Sequence, residues 1–123
     1  MISFDDFTPE SGSPLYWQIL RHIKRGIVAG RIVDGDELPS RRMLSALLGI
    51  NPNTVQKAYK MLEEEGLVLS HPGAKSLIVL KKETIQRIRN ELLKAETLSI
   101  IGAFRQMGVS KEEALSLIAL YWQ

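Results

Sequence analysis

Three features of this sequence predict a mainly α-helical protein in which three helices and a two-stranded hairpin precede a two-helix tail. The apolar residues Leu15, Ile19, Ile23 and Ile27 recur every fourth position, which marks one face of a helix. Two short segments follow, each opened by a capping residue, at Ser40 and at Asn51. Two brief apolar stretches then flank a Pro-Gly pair, and a long 3.6-periodic segment runs on from Lys82.

Residues 1–13 lack periodicity and are rich in Ser, Gly, Pro and acids. They read as an extended arm, with Phe4 and Phe7 tucked onto the body and Asp5, Asp6 and Glu10 solvated. Pro14 suits a first helical position. The first helix carries Leu20 and Val28 beside its four-step series and ends near Ala29, with Gly30 as its stop. Asp34-Gly35 marks a turn, and Pro39 restricts Leu38 to an extended shape.

Ser40 is the expected N-cap of the second helix, with Leu44, Leu47 and Leu48 as its apolar face and Gly49 as its end. Asn51 is the next N-cap and Pro52 the first helical residue. Two short helices joined by so tight a glycine-containing turn make a helix-turn-helix. Gly66 ends the third helix. Leu67 to Ser70 and Ser76 to Leu80 are strand candidates around "HPGAK", so they read as a hairpin. The order is that of a winged helix-turn-helix, three helices plus a two-stranded wing, over residues 14–80.

The remaining 43 residues, 81–123, form a C-terminal helical region. Ile85, Ile88, Leu92, Ala95, Leu98, Ile101 and Phe104 keep helical spacing until Gly108. "SKEE" at Ser110 to Glu113 is a capping box for a last helix.

Net charge is +2, too small to name a partner, and residues 1–80 balance nine Lys/Arg against nine Asp/Glu. The distribution is more telling. Arg41 to Lys60 contains Arg41, Arg42, Lys57 and Lys60 and no acid. Placed at about 100° per residue, Val55, Ala58, Tyr59 and Leu62 form the inner face of the third helix. Asn53, Gln56, Lys57 and Lys60 lie opposite, with Thr54 on the flank. Glu63, Glu64 and Glu65 close the helix, although the macrodipole favours acids at its start. Such an amide, ammonium and hydroxyl face suits base edges and phosphates, which repel carboxylates. Arg41 and Arg42 at the start of the second helix likewise oppose the dipole and suit phosphate.

On these residues the sequence resembles the GntR family of bacterial transcription regulators. The likeness runs from Pro14 to Leu80, through "G-D-x-L-P-S-x-R-x-L" at Gly35 to Leu44 and "N-T-V-x-K-A" at Asn53 to Ala58. "NPNTVQKAY" with a short two-helix tail is most similar to the YtrA-like branch. The resemblance implies a winged-helix DNA-binding domain, a dimer made by the C-terminal helices and an inverted-repeat operator. It places Arg42 on DNA, and Asn53, Thr54, Gln56 and Lys57 on bases.

Three departures matter. Pro52 and Gln56 stand where many relatives have Arg, so a guanine preference does not carry over. Arg41 stands where Glu is common. The wing reads Ala74-Lys75-Ser76-Leu77-Ile78-Val79 without the family's two glycines, which leaves its approach to the minor groove open; Gly73 is the alternative turn residue.

The expected DNA-contacting set is therefore Ser40, Arg41, Arg42, Asn53, Thr54, Gln56, Lys57, Lys60, His71, Gly73 and Lys75. Arg42 and Lys60 would anchor phosphates, Lys75 would hold the adjacent groove or backbone, and His71 would touch phosphate. The expected dimer interface is Ile85, Ile88, Leu92, Leu98, Ile101, Phe104, Leu117 and Tyr121, an apolar stripe with little else to cover.

Other signals carry less. Tyr16 and Trp17 read as packing residues. His22 and His71 lack clustered partners for a metal or for general base work. With no cysteine there is no thiol chemistry. No nucleophile elbow or phosphate-cradling loop is recognisable, so no enzyme and no cofactor are expected. Apolar runs are too short to span a membrane, and the acidic start does not resemble a signal peptide, so a cytoplasmic location is expected. The expected partners are double-stranded operator DNA and a second copy of the chain. A small-molecule effector between subunits is compatible with this architecture, and no residue names one. The expected function is a homodimeric, sequence-specific transcription repressor. The rival reading is a winged-helix protein-interaction module without specific DNA binding.

Overall fold

The structure, a computed structural model, describes residues 1–70, 73 and 75–123. Its elements are α1 (Leu15–Val28), α2 (Arg41–Leu48), α3 (Pro52–Glu64), β1 (Val68–Leu69), β2 (Leu77–Ile78), α4 (Lys82–Gln106) and α5 (Lys111–Tyr121). They form a mainly helical winged helix with C-terminal helices. The chain divides into two compact units, Met1–Ile88 and Arg89–Gln123.

In the first unit, α1 starts one residue later than its proline suggested. Pro14 is the half-in cap, with extended ψ of 141°, and its carbonyl accepts from the Gln18 N–H at 3.2 Å. Ile19, Leu20, Ile23 and Ile27 are buried against α3. Gly26 is buried beside them because Ile32 crosses the helix there. A Cβ at Gly26 would meet Ile32 Cδ1 at 2.5 Å.

The turn between α2 and α3 follows from its local chemistry. Ser40 Oγ accepts from the Met43 N–H at 3.0 Å and opens α2. Gly49 ends it with φ of 65°, a left-handed conformation that costs a side-chain-bearing residue. Ser45 donates its hydroxyl to the Ile50 carbonyl at 2.6 Å across the turn. Asn51 Oδ1 then accepts from the Asn53 N–H at 2.8 Å, with Pro52 opening α3. Val55, Ala58, Tyr59 and Leu62 are buried, and the Tyr59 hydroxyl donates to the Pro39 carbonyl at 2.7 Å. Leu47, expected on the inner face of α2, is 62% exposed; only Leu44 of that face is fully buried.

The wing strands are shorter than expected. They pair antiparallel with Val68 opposite Ile78 and Leu69 opposite Leu77. The sequence reading missed a further bridge, Glu37 to Leu77, on the other side of β2. The Ile2 N–H donates to the Glu37 carbonyl at 2.8 Å, so the N-terminal arm continues this edge. Ile2 and Phe4 are buried. Phe4 stacks on His22, and His22 Nε2 lies 2.9 Å from the Ser3 carbonyl, to which it donates. Glu10 stays exposed, as expected, and pairs with Arg21 at 3.3 Å.

The start of α4 completes this core. Ile88 is 2% exposed and Ile85 packs partly buried against the same cluster. Both were expected at the dimer interface. Ile88 instead closes this core, in the compact unit Met1–Ile88, while Ile85 stays half-buried.

In the second unit the interruption falls at Gly108, whose φ is 71°. Ser110 Oγ accepts from the Glu113 N–H at 3.2 Å and opens α5. No residue of α5 is buried.

Candidate nucleic-acid interface

The outward face of α3 is where the sequence placed it. Asn53, Gln56, Lys57 and Lys60 are exposed, and Thr54 is half-buried at the edge. No carboxylate lies on α3 before Glu63. Two of the three closing glutamates also make ion pairs. Glu65 takes Lys24 of α1 at 2.8 Å, and Glu63 takes Arg41 of α2 at 3.4 Å. These cations from neighbouring helices offset the unfavourable dipole at that end.

The two arginines opening α2 differ. Arg41 is drawn inward: its guanidinium carbon lies 5.7 Å from the Tyr59 ring centroid, and its Nε is buried without a hydrogen-bond partner. Burial pushes the Tyr59 phenol well above its ordinary range, and the nearby Arg41 only partly offsets this. Tyr59 is therefore a neutral donor. Arg41, expected to contact DNA, lies 3.4 Å from Glu63 and keeps 38% of its side chain exposed. Arg42 is exposed, with no ion pair to any described residue. Ser40 caps the helix, its hydroxyl oxygen accepting from the Met43 N–H while the residue stays exposed.

At the wing, Gly73 has φ of 74°, consistent with its serving as the turn residue in place of the missing glycines. Lys75 is 76% exposed and lies 3.4 Å from Glu37. An exposed pair of this kind is worth about 1 kcal/mol or less, so an incoming phosphate can displace it. His71 lies outside the described residues.

Lys57 is not a loose side chain. Its Nζ sits 4.0 Å from the ring centroid of Tyr16 on α1. The sequence had read Tyr16 as packing alone, and nothing in its local spacing pointed to Lys57. A cleft beside the arm is lined by Asp5, Asp6 and Asp36 together with His22 and Arg31.

In the second unit, Leu98 and Tyr121 are exposed, and Leu92, Phe104 and Leu117 are half-buried. An apolar cleft of about 440 Å³ lies between α5 and the end of α4, lined by Ile100, Ile101, Phe104, Val109, Leu115 and Ile118.

Comparison with known proteins agrees with this geometry. The pattern of the bacterial regulatory proteins of the gntR family matches residues 15–78. The chain is 35% identical over 114 residues to the HTH-type transcriptional repressor YtrA of Bacillus subtilis, covering 92% of this chain and 85% of that one. A GntR family transcriptional regulator from Listeria monocytogenes superposes with a TM-score of 0.75 at 31% identity, covering 90% of this chain and 97% of that one. The AraR DNA-binding domain in complex with operator ORE1 superposes with a TM-score of 0.51 at 27% identity, over 59% of this chain and 94% of that one.

Proposed function

We propose, from the premise that the chain belongs to the gntR family of bacterial regulatory proteins, that it is a transcription regulator that binds operator DNA as a homodimer. One observation carries the reading: the first three turns of α3 present amides and ammoniums outward and no carboxylate.

The N-terminal half of α3 enters the major groove. Asn53 and Gln56 offer amides that pair bidentately with adenine, and Lys57 reaches guanine or phosphate. Arg42 and Lys60 fix the register on phosphates, which carry affinity without sequence information. Lys75 holds the neighbouring backbone from the wing. Arg41 ties the start of α2 to Glu63 at the end of α3.

The exposed apolar side chains of residues 89–123 supply the two-fold partner. The cleft between α5 and the end of α4 is filled by the same helices of a second copy, and a two-fold dimer matches a two-fold operator. The resemblance to a repressor supports the sign of regulation: a bound dimer occludes a promoter. The place of action on this reading is the cytoplasm. Among the described residues no helix is long and apolar enough to cross a membrane.

Selection of bound duplexes from a random-sequence pool, at two salt concentrations, tests the proposal. The expected result is an enriched two-fold site, its half-sites about one helical turn or a multiple apart, with affinity falling steeply as salt rises. Retention without enrichment of any sequence would leave a protein-interaction module and sink the regulator reading.

A further inference from the structure

We propose that Tyr16 is a positioning residue for DNA recognition: its ring holds the Lys57 ammonium in place on the outer face of α3. The inference rests on the reading of that face as the DNA-contacting surface. Two residues distant in the chain meet here because α1 packs along α3. Tyr16 stands in the first turn of α1, half-buried against the core, so its own side chain is fixed. Lys57 is exposed in the second turn of α3, where a lysine would ordinarily sample many rotamers. Instead its Nζ lies 4.0 Å from the ring centroid, well within the range at which the negative face of an aromatic ring attracts a cation.

The consequence concerns what Lys57 can do. The ring covers one side of the ammonium and leaves N–H donors on the other side for an acceptor. A lysine already confined loses less freedom when it meets a base edge or phosphate, which raises affinity without adding a contact. The attraction belongs to the ring and not to the hydroxyl, so phenylalanine should serve and leucine should not.

The test uses the full chain and two probes: the duplex that the wild-type protein selects from a random-sequence pool, and a scrambled duplex of equal length. Tyr16→Leu should weaken binding to the selected duplex roughly two- to five-fold, and Tyr16→Phe should stay near wild type. In a Lys57→Gln background, Tyr16→Leu should add nothing further. In the free protein, the Lys57 ε-methylene proton resonances should be shifted upfield by the ring, retained in Tyr16→Phe and relaxed in Tyr16→Leu. The proposal is overturned if the Leu penalty persists without Lys57, if Phe is as harmful as Leu, or if the wild-type ring shift is absent. The ring shift is read without DNA. Its absence beside selective binding overturns the positioning role alone, whereas its presence in a protein that retains no duplex overturns the DNA reading on which that role depends. Should Tyr16→Leu not fold, the wild-type ring shift and the Tyr16→Phe affinity still decide.

Discussion

The two units of this chain solve the burial of apolar side chains in opposite ways. Met1–Ile88 covers its own: Ile19, Ile23, Leu44, Val55, Tyr59, Leu62, Leu67 and Ile88 are all essentially inaccessible. Arg89–Gln123 does not, since α5 buries no residue and Leu115, Leu120, Tyr121 and Trp122 are more than half exposed. A unit of the first kind has the core to fold alone. One of the second kind exposes apolar surface of the sort that marks an interaction site.

The largest effect should come from breaking the second unit's cover. Ile101→Asp with Ile118→Asp places carboxylates in the apolar cleft, which the proposed dimer would bury unpaired at about 3–5 kcal/mol each. Sedimentation should show a dimer become a monomer while the winged helix keeps its fold. A monomeric wild type would show the exposed stripe to have some other use.

Next in size is the first unit's core. Leu62→Ala should cost about 2–5 kcal/mol, read as a fall in denaturation midpoint. Leu47→Ala, on the outer side of α2, should stay within about 0.5 kcal/mol. Equal losses would contradict the assignment of inside and outside.

Tyr59→Phe should cost about 1–2 kcal/mol, because the Pro39 carbonyl loses its buried partner. The folded-state phenol is raised above its unfolded value near 10. Its contribution is therefore complete below about pH 10 and falls as pH rises further. The phenylalanine variant should show a shallower alkaline decline, measurable by denaturation at several pH values.

Smaller still is Lys24→Ala, which removes a partly exposed ion pair with Glu65. A loss of about 1 kcal/mol or less, diminishing with salt, is expected.

How legible these differences were depended on the range of the chemistry. The turn from α2 to α3 could be read because its signals are local: Ser40, Gly49 and Asn51-Pro52 each act on neighbours in the chain. The inner and outer faces of α3 followed from helical period. Periodicity does not say what covers a helix, however. Ile88 therefore looked like the beginning of the tail's stripe, when it closes the first unit. The Glu37 bridge escaped because a single bridge has no period, and Ile2 joins it through backbone alone. At the site, residue types on α3 were readable but pairings were not. That Arg41 turns inward to Glu63 and Tyr59, while Arg42 does not, is set by packing between helices. Lys57 on Tyr16 is another contact of that sort.

Titrating Gln56→Ala against the selected duplex and its scrambled counterpart probes the outward face of α3 most directly. A residue that reads a base should lose about 1–3 kcal/mol on the selected site, roughly five- to 150-fold in affinity, and almost nothing on the scrambled one. The same loss on both duplexes would mean that this face grips the backbone without reading sequence.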